Sequence, residues 1–476
     1  MKSRNLTNFG SPRMVAALIG RRRVMAPLRR FFSSSAAPII NINPTRLMED
    51  LHHLRSIGAA EPYVPEAKGG DGVKKGVIRP ALTPQDVEAR KWLMQRCEES
   101  GMETSMDRLG NTVCVGSGDD ANPTRPRLLA GSHSDTQPTG GWLDGALGVV
   151  FAIEAARALK EHGLPQVLDV VNFNDEEGRF GSLVGSTSIC GGNVDMGSVS
   201  SSPEGVAPRL TLGEEIRNRD LQDLPLFRLG DGPLKGPYFG YFEAHIEQGR
   251  RLERGNVDVA AVTGIVGLRQ CRVLFSGESN HAGSTQMRDR RDAFQGAIQF
   301  AYKLSNIMGQ KYGSTEAVWT MGKIEVSPGA ASIIPSHADL TVQWRAATEE
   351  RMDEMYLEVK RLVEAFRGDP EVPVDVELDA GDRLAVEAVH MDSHLVDIVR
   401  ESAVHSGASC EDLFSGAIHD AGIIKKMGQI PSVMLFVPSI DGISHDFRED
   451  TKEEDIIKGA EVFARAAAAM IQQHPS

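Results

Sequence analysis

Five short stretches of this sequence concentrate imidazoles and carboxylates: Ser132-His133-Ser134-Asp135, Trp142-Leu143-Asp144-Gly145, Asn174-Asp175-Glu176-Glu177-Gly178, the run 242–249 with Glu243, His245 and Glu247, and the run 438–445 ending in Ser444-His445. Imidazole nitrogens and carboxylate oxygens are donors that zinc and similar divalent ions accept, and none of these stretches contains cysteine. Carboxylates set side by side, as in Asp175-Glu176-Glu177, repel one another unless cations neutralise them. A pair of ions needs about six to eight protein-derived bonds, and one carboxylate can serve both. Taken singly each stretch is commonplace, because acidic triplets cap helices and His-x-Asp arises by chance. Together they read as a metal centre.

An α/β framework must position them. The apolar run 128–131 reads as a strand leading directly into His133, 167–173 as a strand ending at the acidic triplet, and 432–437 as a strand leading towards His445. The run 147–159 reads as a largely buried helix with Asp144 at its mouth. In α/β sheets functional residues gather at the carboxyl ends of strands. Helix starts are marked at Asn43-Pro44, followed by Leu47, Leu51 and Leu54, and at Thr83-Pro84-Gln85-Asp86, whose helix stops at Gly101. Residues 68–75 read as a loop. The pattern changes between residues 265 and 380, where strand 267–275, helix 289–308, strands 317–326 and 338–346, helix 349–366 and strand 372–378 give the order βαββαβ of a ferredoxin-like unit. Helix 393–405 and a closing helix at 453–472 resume the alternation, so that unit is inserted. The expected fold is α/β, with a mainly parallel-sheet domain in two parts, 43–264 and 381–476, interrupted by a ferredoxin-like domain at 265–380.

Composition narrows the partners. The chain has 476 residues and a formal net charge of −13, which excludes the basic footprint of a non-specific nucleic-acid binder. No apolar run approaches the ~18 residues of a membrane-spanning helix. Five scattered cysteines (Cys97, Cys114, Cys190, Cys271, Cys410) form no CxxC pair, which points to a reducing compartment rather than a disulfide scaffold. Residues 1–36 hold eight basic side chains and no acidic one, ending in Arg30-Phe31-Phe32-Ser33-Ser34-Ser35. That is the composition of a mitochondrial transit peptide, and without its use the chain would be cytoplasmic.

The sequence resembles the M20 metallohydrolases, and within them the hydantoinase/carbamoylase amidase branch of N-carbamoyl-L-amino-acid hydrolases, β-ureidopropionase and allantoate amidohydrolase. The matching stretches are 131–138, 144–149, Glu176-Glu177-Gly178-Arg179-Phe180, His245-Ile246-Glu247-Gln248-Gly249, Asn280-His281-Ala282-Gly283, Ser415-Gly416-Ala417-Ile418-His419-Asp420-Ala421 and the run from Val437 to His445. The resemblance implies two divalent ions per subunit, zinc foremost, with manganese, cobalt and nickel also accepting such ligands. His133, Asp144 and His245 would hold one, and Asp144, Glu177 and His445 the other. It implies Glu176 as general base and His281 as an oxyanion stabiliser reaching a partner subunit's site, the inserted domain then serving dimerisation. Gln248, His419, Ser444, Ser332 and Arg345 would contact the substrate, Arg345 as a planar clamp on its carboxylate. The implied reaction is hydrolysis of a linear C–N bond in an N-carbamoyl (ureido) acid, releasing amino acid, CO2 and NH3.

Some positions depart from that pattern. Gln343 stands where the branch usually has Asp, and Ser332 where it usually has Asn; the Ser332 change, a shorter hydroxyl in place of an amide, leaves the choice of ureido acid open. Allantoate or ureidoglycolate is the alternative substrate, and an M20 aminoacylase or peptidase the alternative enzyme. A silent scaffold that kept the fold should have lost a ligand or the base, whereas all six of those side chains are present.

Overall fold

The computed structural model describes residues 39–60, 76–116, 125–203, 205–379 and 385–474. The basic segment 1–36 and the loop expected over 68–75 lie outside the described residues.

The strands in chain order are β1 (Met102–Met106), β2 (Thr112–Gly116), β3 (Arg127–His133), β4 (Leu168–Phe173), β5 (Tyr238–Ile246), β6 (Val259–Ile265) and β7 (Gly267–Ser276). They continue with β8 (Val318–Ser327), β9 (His337–Ala346), β10 (Asp375–Asp379), β11 (Ala385–Val386), β12 (Val389–His390), β13 (Cys410–Ser415) and β14 (Ser432–Val437). The larger sheet has nine strands in the order β1-β2-β4-β3-β5-β14-β6-β12, with β13 on β6. Its centre, β4-β3-β5-β14, is parallel throughout. That explains the continuous apolar runs: β3, β4 and β14 are buried along their whole length, as strands covered on both faces must be. Antiparallel strands extend both flanks, β1 and β2 on one side and β6 and β12 on the other.

The helices are α1 (Pro44–Ser56), α2 (Pro84–Glu99), α3 (Ala146–Glu161), α4 (Val184–Ile189), α5 (Leu212–Asn218) and α6 (Arg251–Gly255), then α7 (Ala293–Tyr312), α8 (Glu349–Phe366), α9 (Ser393–His405), α10 (Asp420–Lys426) and α11 (Glu453–Gln473). Asn43 and Thr83 cap α1 and α2 by accepting from Arg46 N and Asp86 N, with proline next in each case. α3 is buried from Ala146 to Leu159 and packs with α11 over the sheet, where Phe463 stacks on Phe242 at 4.0 Å and meets Phe151 edge-on. The buried Glu154 on α3 is matched by Arg46 of α1 at 2.7 Å.

The smaller sheet runs β10-β7-β9-β8, with β11 also on β7, and all its pairings are antiparallel. The chain enters it in the order β7-α7-β8-β9-α8-β10. Phe275, Phe300, Trp344 and Phe366 fill the layer between sheet and helices. α7 starts four residues later than the expected 289, because Asp292 caps it by accepting from Phe294 N and Gln295 N, and it runs on to Tyr312. β8 is an edge strand and bears the exposed Val318 and Ile324.

Candidate metal centre

The parallel centre of the larger sheet sets four carboxyl-terminal strand ends side by side, and each delivers a polar side chain to one place. β3 ends in His133, β4 runs into Glu176 and Glu177, β5 carries His245 next to its last residue, and the segment after β14 brings Ser444 and His445. Asp144 arrives from the turn that opens α3. One of its oxygens lies 3.0 Å from His245 Nε2 and 3.7 Å from His133 Nε2. Its other oxygen lies 3.3 Å from His445 Nε2, which is in turn 3.4 Å from Glu177. Two groups could each hold a cation, His133/Asp144/His245 and Asp144/Glu177/His445, with the donor atoms of each within 4.8 Å of one another. Glu176 belongs to neither group and sits 3.6 Å from His133 Nε2.

The donor set fits divalent cations. His133 and His245 each engage a backbone carbonyl through Nδ1, Asp135 O at 3.1 Å and Ile246 O at 2.9 Å, which fixes each ring with Nε2 turned inward. His133 Nε2 is buried and has no hydrogen-bond partner among the described residues, an expensive arrangement unless something binds there. Burial drives the Glu177 carboxyl up to about 8, with the Asp144 charge adding to it, and drives Glu176 well above the carboxylate range, with Glu177 beside it. Burial also lowers His133 to about 3. For Asp144 burial acts upward, but His245 and His445 beside it hold the carboxyl well below its usual range. So many acids in one buried cleft need positive charge to ionise together.

Backbone detail supports the same placement. Gly145 has φ +65°, and a Cβ there would lie 2.3 Å from the His133 ring, so only glycine lets α3 start this close to the histidine. Asp175, at φ +56°, accepts from the backbone N–H groups of Arg179, Phe180 and Gly181 and thereby shapes the turn that presents Glu176 and Glu177.

Two supporting acids were not singled out in the sequence. Asp135 accepts from Glu177 N at 3.2 Å, faces His133 Nδ1 at 3.8 Å and lies 3.6 Å from the buried Arg90 guanidinium. Its signal was available, two positions after His133. Glu449 is fully buried and accepts from Leu143 N and Asp144 N, each at 3.0 Å, and its other oxygen lies 3.0 Å from Ser444 Oγ. It ties the Asp144 turn to the His445 loop, and no motif announces a carboxylate whose work is to accept backbone N–H groups.

The residues expected to touch substrate divide in two. Gln248 and Ser444 join the cluster, donating to Asp144 Oδ2 at 2.8 and 2.7 Å. His419 is buried against the His245 ring, 4.5 Å between centroids, with Nε2 2.8 Å from Ser415 Oγ. Arg345, half-buried on β9, reaches over from the smaller sheet to donate to Gly416 O at 2.7 Å. Burial lowers its pKa. His281 and Ser332 are exposed on paired loops of the smaller sheet's module, where Ala282 N donates to Ser332 O. Among the described residues no recorded contact links either to the cluster. His281 Nδ1 accepts from Gly283 N and Ser284 N, so its proton sits on Nε2, which is free to donate outward.

A mixed α/β fold with this cluster at its strand ends defines a class, and comparison with known proteins identifies it. Residues 129–469 match the model of peptidase family M20/M25/M40, and the chain belongs to that family. It is 32% identical over 408 residues to the N-carbamoyl-L-amino-acid amidohydrolase of Paenarthrobacter aurescens, covering 83% of this chain and 93% of that protein. It is 30% identical over 397 residues to the allantoate amidohydrolase of Bacillus subtilis strain 168, covering 82% and 92%. Among solved structures, a hydantoinase/carbamoylase family amidase from Burkholderia phymatum superposes with a TM-score of 0.78 at 37% identity, covering 92% of this chain and all of that one.

Proposed function

We propose that this chain is a metal-dependent amidohydrolase that cleaves the ureido group of an N-carbamoyl amino acid: R–NH–CO–NH2 + H2O gives R–NH2, CO2 and NH3. The observation that carries this reading is Asp144, whose two oxygens are divided between His133 and His245 on one side and His445 on the other, with Glu176 left beside them. The similarity to an N-carbamoyl-L-amino-acid amidohydrolase over most of both chains supports it.

His133, Asp144 and His245 would hold one divalent ion, and Asp144, Glu177 and His445 a second; imidazole and carboxylate donors suit zinc, manganese, cobalt or nickel. When bound, such ions supply Lewis acidity to the attacking water and the ureido carbonyl. Glu176, which belongs to neither candidate ion group, takes the proton of that water and returns it to the leaving nitrogen. Gln248 Oε1, buried and with no hydrogen-bond partner among the described residues, offers an acceptor to a ureido N–H. Arg345 offers a planar fork to the substrate carboxylate, since its recorded partner is a carbonyl and it makes no ion pair among the described residues.

His281 would donate Nε2–H to the developing oxyanion of a neighbouring copy. Its position away from its own cluster suits that role, as does the exposed β8 edge, where a second sheet could pair and cover Val318 and Ile324. We therefore read the β7–β10 module as a ferredoxin-like dimerisation domain, residues 43–264 and 381–476 as the catalytic domain, and residues 1–36 as a mitochondrial targeting segment. Allantoate remains the second substrate, on the strength of the 30% identity to an allantoate amidohydrolase.

The test is ammonia release by the metal-loaded chain from N-carbamoyl-L-amino acids, N-carbamoyl-β-alanine, allantoate and ureidoglycolate, with acyl-amino acids and dipeptides as controls. Turnover of N-carbamoyl amino acids ahead of the rest is expected. Preference for a dipeptide or acyl-amino acid would overturn the reading.

A further inference from the structure

A fully buried ion pair on α2 takes no part in holding ions or substrate. Asp86 and Arg90, one helical turn apart, are both wholly screened from water. Arg90 Nε donates to the two Asp86 oxygens at 3.0 and 2.9 Å, and Asp86 also accepts from Leu82 N at 2.8 Å. Taking two charges out of water is costly, and a well-packed apolar pair of similar volume often serves stability as well. Stability is therefore a weak reason for an arginine here, and what its guanidinium reaches is the stronger one.

It reaches the exit of β4. Arg90 Nη1 donates to Asn172 O at 3.2 Å and Phe173 O at 3.0 Å, the last two carbonyls of that strand, and to Gly110 O at 3.2 Å. Gly110 lies in a buried turn built on Asp107, which accepts from Leu109 N, Asn111 N and Asn111 Nδ2. Asn111 Oδ1 in turn accepts from Asn174 N at 2.9 Å. Three consecutive residues, 172 to 174, are thus gripped by side chains from two other segments, just before Asp175 turns the chain at φ +56°. Gly185 closes the grip: its N–H donates to Asn174 O at 2.8 Å, and a Cβ there would lie 2.3 Å from Asn111 Oδ1. Glu176 and Glu177 are the next residues along the chain. Arg90 Nη2 also lies 3.6 Å from Asp135, so one guanidinium spans the ends of β3 and β4.

Resting on the reading of Glu176 as base and Glu177 as ligand, we propose that Arg90 and Asn111 are positioning residues that clamp the β4 exit. The clamp sets Glu177 among the ion group of Asp144 and His445 and keeps Glu176 beside that group rather than in it. Neither residue touches substrate; both act through the backbone of 172–174. Misplacing a catalytic group by about 1 Å costs on the order of 10² in rate, which is the scale on which a distant clamp matters. Lysine cannot replace Arg90, because an ammonium is a single point of charge and lacks the planar fork that holds Asp86 by one edge and carbonyls by another.

The test compares full-length variants at saturating divalent ion on the ureido acid that the wild type turns over fastest. Arg90→Lys should lower kcat by about 10²-fold while KM stays within about twofold. Its divalent-ion affinity, measured by calorimetry, should fall by about 10–100-fold. Leu93→Ala, a cavity in the buried face of the same helix, should lower Tm yet leave kcat and ion affinity at wild-type values, which separates the clamp from lost stability. In a Glu176→Gln background Arg90→Lys should cost little further kcat, because changes that act through one group are not additive. Wild-type kcat or ion affinity in Arg90→Lys, or its full loss repeated on top of Glu176→Gln, would overturn the clamp. No hydrolysis of any ureido acid by the wild type would instead remove the carbamoylase reading, and the ion affinity of Arg90→Lys would then decide the clamp alone. If Arg90→Lys fails to fold, Asn111→Ala, which removes the acceptor of Asn174 N and leaves α2 intact, takes its place with the same expected outcomes.

Discussion

Glu176 and Glu177 are neighbours in sequence with different surroundings. Glu177 faces His445 and is held by Gln137 Nε2 at 2.8 Å, while Glu176 stands apart from both candidate ion groups. Glu176→Gln should therefore lower kcat by about 10²–10⁴, the usual worth of a general base, while metal content measured by mass spectrometry stays at the wild-type level. Unchanged kcat would move the proton shuttle elsewhere. Asp144→Ala should do the opposite, abolishing retention of both ions, because it alone contributes to both groups. At this scale the residues that converge on the cluster were legible, because His and acid types at strand ends have few other uses in combination. Glu449 was not, since its partners are two backbone N–H groups and a hydroxyl, and nothing in its side-chain type distinguishes it from the acids of the nearby surface.

The strands and helices act on the site mainly by where they stop. The parallel centre was legible because strands buried on both faces must be apolar throughout, and β3, β4 and β14 are. The flanks were less so: β12 has two residues, and β1 is partly exposed, so neither leaves a periodic trace. α4 and α10, of six and seven residues, are too short to show a helical stripe. The turn into α3 is the most exacting of these junctions. Gly145→Ala would put a methyl 2.3 Å from the His133 ring and force a positive φ on an L-residue, a strain of roughly 1–3 kcal/mol before the clash is counted. A lowered melting temperature together with weaker metal binding by titration is expected. Wild-type values for both would show that the turn has room to move.

For the molecule as a whole, charge in the cleft couples folding to cation binding. Burial, followed by the Asp144 charge, raises Glu177 from 4.5 to about 8. The hydrogen bond to Asp144 raises His445 from 6.5 to about 9, and for His245 the Asp144 charge overrides burial to give about 9. A group whose folded pKa is raised contributes stability below its unfolded pKa and loses it as pH climbs through the folded value. His133, lowered to about 3, opposes this only below 6.5. The metal-free chain should therefore melt at progressively lower temperature from pH 6.5 to about 9, and a saturating divalent ion should raise the melting temperature most at the upper end of that window. A melting temperature flat across that range would show that the cleft does not carry this charge. The exposed β8 edge makes a prediction of the same reach. On the proposed pairing of copies through this edge, Ile324→Lys, which sets a charge there, should shift the chain towards monomer in sedimentation, and activity should fall with it if His281 serves a neighbouring copy.

The most direct measurement is anomalous X-ray scattering from crystals of the divalent-ion-loaded protein, collected at the absorption edge of the ion supplied. Two peaks per chain are expected, one among His133, Asp144 and His245 and one among Asp144, Glu177 and His445, with Asp144 touching both and Glu176 touching neither. A single peak, a peak coordinated by Glu176, or ions bound away from Asp144 would contradict the account.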